Sequence, residues 1–255
     1  MKKWQPITYC LLLVIQLVTH IWPYDYFPIN KPKDPFIYEI INNDATMPYV
    51  LYTPTTSSDE PKPLIIWLHG YNNGSIDQEI IEKNGLPCAL SQWGLDGFDA
   101  YIICPQLVGK WNIAPWFTDT TKENVEDIVL IMIENYNIDT NKIIISGHSN
   151  GGMGAIYMAS TDTNNYYSKI AQISGCGVGV DMSPIKYIDA RGYVGHPSYG
   201  ELRDNYYYTT TTYSDLAGSE NIFVLKAGHA EVAVDAFLLD KNQDNKSDLI
   251  EWMLK

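Results

Sequence analysis

The stretch "NKIIISGHSNGGMGAI", Asn141 to Ile156, decides how this chain is read. A β-favouring run, Ile143 to Ile145, leads straight into a serine boxed by glycines, and the chain then continues in small residues that suit a helix start. In Gly147-His148-Ser149-Asn150-Gly151 the spacing predicts a turn from strand to helix. Such a turn is so tight that side chains two before and two after the serine would collide with neighbouring backbone. It lifts the Ser149 hydroxyl clear of the chain. The helix N-terminus and the amide of Asn150 then favour negative charge developing in the same space. A glycine-rich helix cap would explain the glycines but not the hydrophobic strand that feeds them. The context therefore predicts a nucleophilic serine.

A second segment points the same way. "IIWLHGYNNGS", from Ile65, ends a near-continuous apolar run with His69-Gly70-Tyr71. Such a run is the pattern of a strand covered on both faces. Glycine at its end lets the backbone approach a reacting group closely, and the amide of Tyr71 is the expected second oxyanion donor, beside that of Asn150. His69 precedes the serine and is read as a brace for this loop.

Around these two segments strands alternate with helices. "FIYEII" and "MPYVLYT", separated by the turn-forming "NNDA", read as an antiparallel hairpin at a sheet edge. "FDAYIICPQ" reads as another buried strand. Val125, Ile128, Val129, Met132 and Ile133 fall at helical spacing. "KIAQIS", "IKYIDA" and "NIFVLKAG" follow as strands. The expectation is a single α/β domain over residues 23–255, with a mostly parallel central sheet and helices on both faces.

The order of these motifs resembles the α/β-hydrolase fold. More narrowly it resembles secreted serine esterases similar to polyhydroxybutyrate depolymerases and feruloyl esterases, through "MPYVLYTP", "PLIIWLHG", "YIICPQ" with Trp111 and Trp116 after it, "NKIIISGHSNGG" and "AGHAEV". The resemblance implies a Ser-acid-His triad in which Ser149 matches the nucleophile and His229 the general base. His229 also follows the last strand and precedes a helix, where a loop can carry an imidazole over the serine. His148 is expected to point into the core, and His196 is a weaker rival. The acid departs from the pattern. Similar enzymes carry Asp three residues after the glycine ending "IKYIDARG", and here that place is Gly195. Counting back from a helix expected to contain "YSDLAG" favours Asp204, with Glu201 as the alternative acid; Asp181 and Asp189 are less suited. The implied activity is hydrolysis of small-molecule or polymer-linked carboxylic esters, needing no cofactor. Trp111, Trp116 and the "NYYYTTTTY" run are candidates to line a substrate cleft. A peptidase or acyltransferase of the same fold, or a catalytically silent surface-binding module, are the alternatives.

Composition bounds the partners. With 255 residues, 45% hydrophobic and 18% charged, the chain can bury one sizeable core. A net charge of −13 without a clustered Lys/Arg face argues against a nucleic-acid partner. Two lysines followed by an apolar run from Ile7 to Val18 match a secretory signal over residues 1–22. No clean small-residue cleavage site follows, so an uncleaved anchor is the other reading, and the expected location is secreted or cell-surface. Outside that leader, Cys88, Cys104 and Cys176 form no disulfide framework and no zinc site. One Cys88–Cys104 bridge, or buried inert thiols, are both open.

The C-terminal "DKNQDNKSDLIE" has the spacing of an EF-hand calcium loop. Asp240, Asn242, Asp244, Asp248 and Glu251 stand at its first, third, fifth, ninth and twelfth places, and Lys246 at the seventh, which ligates through its backbone carbonyl. Asn245 takes the sixth place, usually glycine, and Ser247 the eighth, usually aliphatic. Titrating metal-stripped protein calorimetrically should show calcium binding at or below millimolar concentration, abolished by Asp240→Ala with Glu251→Ala. Binding that survives the double substitution would remove the site.

Overall fold

The computed structural model describes residues 38–54, 59–71, 73–93, 99–112, 114–239 and 247–255. The expected leader, Cys10 and four of the calcium-loop positions (Asp240, Asn242, Asp244 and Lys246) lie outside them. Among the described residues no helix is long and apolar enough to cross a membrane.

Among the described residues eight strands form one mixed sheet: β1 (Tyr38–Ile41), β2 (Tyr49–Tyr52), β3 (Lys62–Leu68), β4 (Tyr101–Pro105), β5 (Ile138–His148), β6 (Lys169–Ile173), β7 (Asp189–Gly195) and β8 (Ile222–Leu225). Their order across the sheet is β1-β2-β4-β3-β5-β6-β7-β8. β1 pairs antiparallel with β2, and β2 with β4, so the expected hairpin is the sheet edge. All later pairings are parallel. Helices α1 (Gln78–Ile81) and α2 (Gly85–Trp93) follow β3, α3 (Asp119–Asn135) follows β4 and α4 (Asn150–Ser160) follows β5. A helical stretch between β7 and β8 comprises α5 (Arg203–Tyr208), a π-helical turn at Thr209–Tyr213 and α6 (Ser214–Ala217); α7 (Val232–Leu238) and α8 (Asp248–Leu254) close the chain.

Alternation along the buried strands divides the core between the two faces. Leu64, Ile66, Leu68, Ile143 and Ile145 pack with Val125, Val129 and Met132 of α3 and Ala155 of α4. Ile65, Trp67, Ile102 and Ile144 pack with Leu86 of α2, Phe237 of α7 and Met253 of α8. The α3 stripe read from the sequence is the buried one, and Thr118 caps the helix by accepting from the Thr121 amide. β3 lies between β4 and β5, so the chain leaves it first to one side and then to the other. The loops beyond its C-terminal end and that of β5 diverge into a crevice, the place where such sheets take ligands. Register sets Leu68 opposite Gly147, so His69-Gly70-Tyr71 and Ser149 emerge side by side.

One expectation needs correction, and one left open is settled. "IKYIDA" is not the strand: Ser183–Tyr187 forms a 3₁₀ turn with Tyr187 almost fully exposed, and β7 runs from Asp189 through Gly192 to Gly195. Gly192 does not end it. A Cβ there would stand 2.9 Å from Ile222 and 3.0 Å from Tyr213, so this glycine admits close neighbours within the strand. No disulfide joins Cys88 to Cys104; both are buried, and burial pushes the Cys104 thiol pKa up.

Candidate active site

Ser149 sits at φ 55°, ψ −116°, between the end of β5 and the first turn of α4. This left-handed conformation is costly for a residue with a Cβ and persists only where the surroundings dictate it. Here the Ser149 amide donates to the Ile173 carbonyl at 2.9 Å and its carbonyl accepts from the Met153 amide at 2.9 Å. The flanking glycines are required, as the motif predicts. A Cβ on Gly147 would lie 2.4 Å from the Gly151 carbonyl oxygen, and one on Gly151 only 2.0 Å from that of Leu68. The second contact joins the elbow to the end of β3, which is why the serine and the His69–Tyr71 segment hold a fixed relation.

His229 lies on the loop between β8 and α7, and its Nε2 is 2.9 Å from Ser149 Oγ. Its Nδ1 is 2.7 Å from Glu201 Oε1. Asp204 does not take this place. It stands exposed in the first turn of α5, because that helix begins at Arg203, earlier than the count back from "YSDLAG" assumes. Glu201 instead follows the left-handed Gly200 and turns inward, its side chain fully buried. Oε2 accepts from the Ser174 hydroxyl at 2.5 Å and from the Gly195 amide at 3.0 Å, and Oε1 also accepts from the Leu202 amide at 2.8 Å. Burial acts to raise the Glu201 pKa, but the hydrogen bonds and charge of His229, with the Ser174 and Leu202 donors, prevail and hold it below the usual 4.5. Gly195 explains the shift of position. A Cβ there would come 2.9 Å from Glu201 Oε2 and 2.3 Å from the Ala227 carbonyl, so the carboxylate enters from six residues on only because position 195 has no side chain.

The other described histidines are structural, as read for His69. Its Nδ1 donates to the Gly70 carbonyl at 2.7 Å and its Nε2 accepts from the Leu107 amide at 3.1 Å. Trp116, fully buried, donates its indole N–H to the His69 carbonyl at 2.8 Å. His148 does more than fill the core: its Nε2 donates to the backbone carbonyl of His229 at 2.7 Å, and its ring lies 4.8 Å from the His229 ring. Sequence reading missed this link, as it missed Ser174. It also missed Asn205, whose Nδ2 is 3.4 Å from His229 Nδ1. His196 caps a 3₁₀ turn by accepting from Ser198, Asp181 accepts from Ser183, and Asp189 accepts from the Trp252 indole.

Burial lowers the pKa of His69 to about 4 and, helped by the charge of His229, that of His148 to about 3. Both rings bind protons less readily in the folded chain. The stability they contribute is whole above the ordinary 6.5 and is lost as pH falls from there toward the folded values. Glu201 adds a loss of the same sign at lower pH. Urea unfolding at pH 4.5 should therefore show a stability lower by about 2 kcal/mol or more than at pH 7. Equal stability at the two pH values would mean the rings are not held neutral.

A cleft of about 730 Å³ opens beside the elbow, with Gly70, Tyr71, Leu107, Val108, Pro115 and Asn150 among its walls. Tyr71 and Asn150 thus face one space. Among the described lining residues none is Asp, Glu, Lys or Arg, and none comes from the segments carrying Glu201 and His229. Trp111 and Trp116 do not line it: Trp116 is core, and Trp111 carries Lys110 over its ring. Tyr208 and Tyr213 of the "NYYYTTTTY" run are buried. Among the described residues no cluster of His, Cys, Asp and Glu could hold a metal ion.

A serine on a strand-to-helix elbow, a histidine after the last strand and a carboxylate after the one before it, on this sheet, define the α/β-hydrolase fold. Solved structures agree. The chain superposes with a TM-score of 0.60 on a fluorophosphonate-binding serine hydrolase of Staphylococcus aureus at 12% identity, covering 87% of this chain and 100% of that one. It is similarly placed on an S-formylglutathione hydrolase of the same organism, with a TM-score of 0.60 at 11% identity over 88% and 99% of the two chains. A thermostable esterase gives 0.54 at 18% identity over 87% of this chain, which spans 60% of that enzyme's length. No protein-family model matches the chain, and no curated protein matches it in sequence.

Proposed function

We propose that the chain is a serine esterase that hydrolyses carboxylic esters through an acyl-serine intermediate. The observation that carries this reading is the unbroken relay from Glu201 through His229 to Ser149, at 2.7 and 2.9 Å, on a serine held in the elbow conformation. Glu201 accepts from Nδ1–H and so leaves Nε2 as the acceptor for the serine proton. Ser149 Oγ attacks the ester carbonyl carbon as its proton passes to His229 Nε2, and the backbone amides of Tyr71 and Asn150 receive the oxyanion. The tetrahedral intermediate collapses, the C–O bond to the alcohol breaks, and His229 returns the proton to the departing oxygen. Water then repeats the sequence on the acyl-enzyme and frees the acid.

The cleft narrows the substrate. The leaving group takes its proton from His229 and so departs on that side. The cleft, which borrows nothing from the His229 or Glu201 segments, receives the acyl group. Its walls offer no charge, so an uncharged acyl group suits it. The intact relay argues against the silent-module alternative. The leader expected over residues 1–22 adds the reading that the enzyme acts outside the cytoplasm.

The test sets a p-nitrophenyl butyrate ester against the matching p-nitroanilide. Turnover of the ester with an early burst, and little or none of the anilide, supports the reading. Failure to turn over any member of a p-nitrophenyl ester series, or faster cleavage of the anilide, overturns it.

A further inference from the structure

Ser174 follows β6 and is fully buried, with φ at 47°, one of three described non-glycine residues in the left-handed region. One of the others is Ser149 itself. Glycine adopts this conformation more easily than serine. What the conformation achieves is to aim the hydroxyl at Glu201 Oε2, while the Ser174 amide donates to the Tyr193 carbonyl at 2.8 Å and fixes the backbone. The 2.5 Å contact is in the range of a hydroxyl donating to an ionised carboxylate. Glu201 reaches His229 from a loop, six residues beyond the strand end, and among the described residues its outer oxygen accepts from Ser174 Oγ and the Gly195 amide.

We propose that Ser174 is a positioning residue for catalysis. It holds the displaced acid in register with His229 and keeps that acid ionised. This rests on the esterase reading above and extends it to a residue that touches neither substrate nor the reacting serine. Without the hydroxyl, Glu201 loses a charge-assisted donor. Its protonation becomes easier, and the charge it keeps falls more fully on the imidazole Nδ1–H. Both effects move the acid limb of kcat/KM to higher pH. The other titratable groups around the pair are His148, beneath the ring from β5 and held neutral by burial, Cys176 beyond Ser174, and the exposed Asp204 and Glu231.

The experiment compares pH profiles of the wild type with Ser174→Ala and Ser174→Gly, alongside their thermal midpoints. Alanine keeps the backbone strain and glycine relieves it, so the two variants bracket any effect on folding. Both should lower kcat about tenfold and raise the acid limb by ~1 pH unit, the scale of a lost hydrogen bond to a charged group. Ser174→Cys, with a weak donor of similar size, should fall between. An acid limb unmoved in both the alanine and glycine variants would overturn the proposal while wild-type turnover leaves the esterase reading standing. A wild type that hydrolyses no ester would instead sink the reading on which the proposal rests.

Discussion

Ser149→Ala and His229→Ala should each lower kcat for ester hydrolysis by about 10⁶, and the double variant should be no worse than either alone. The reason is that the two side chains perform one act. A hydroxyl without its base is a poor nucleophile at neutral pH, and a base stripped of the hydroxyl it meets at 2.9 Å has nothing to deprotonate. The fold should survive both changes. Alanine at 149 meets the same left-handed strain as serine, and His229, 22% exposed, stands on a loop outside the hydrophobic core clusters. Steady-state kinetics with matched thermal midpoints check this. Activity within tenfold of wild type in either variant, or losses that multiply in the double variant, would break the assignment.

The second large effect is expected at the acid. Glu201→Gln should cost about 10⁴ in kcat, because an amide can offer His229 Nδ1 a donor that favours the wrong tautomer and cannot stabilise the imidazolium. Asp204→Asn should change kcat by less than about twofold, since an exposed carboxylate on the first turn of a helix acts only through screened, long-range charge. Measuring both under identical conditions makes the contrast the result. A crippled Asp204 variant beside a healthy Glu201 variant would return the role to Asp204. Glu201→Asp should land between. Shortened by one methylene, the carboxylate cannot reach Nδ1 while still held by Ser174 and the Gly195 amide.

What was legible in the sequence followed from short-range sterics and from period. The elbow could be read because glycines at 147 and 151 answer a collision that any chain making this turn must avoid, and the structure places those collisions at 2.4 and 2.0 Å. The buried strands and the α3 stripe were legible because alternation and 3.6-residue spacing directly record which faces meet the core. The acid was not, for two physical reasons. Gly192 reads as a strand end but serves close packing, which displaced the count by several residues. The helix after β7 also begins ahead of its strongest sequence signal, which carried the estimate from Glu201 to Asp204. Ser174 and His148 left no trace because each acts through a contact across a long loop of chain, with Glu201 and with the His229 carbonyl. Neither residue type nor spacing encodes such a pairing.

Gly195 carries a consequence for descent. The carboxylate of Glu201 occupies the space that a side chain at 195 would need, since a Cβ there would stand only 2.9 Å from Oε2, so an acid at 195 and an acid at 201 cannot stand together. The two solutions exclude one another. A lineage cannot acquire the second acid while keeping the first and then discard the redundant one. Whichever order the substitutions take, the path passes through a chain in which the imidazole has no settled partner. Such a switch is therefore hard to enter and equally hard to reverse, and once made it marks every descendant. Descendants that keep the acid at 201 should therefore also keep glycine at 195.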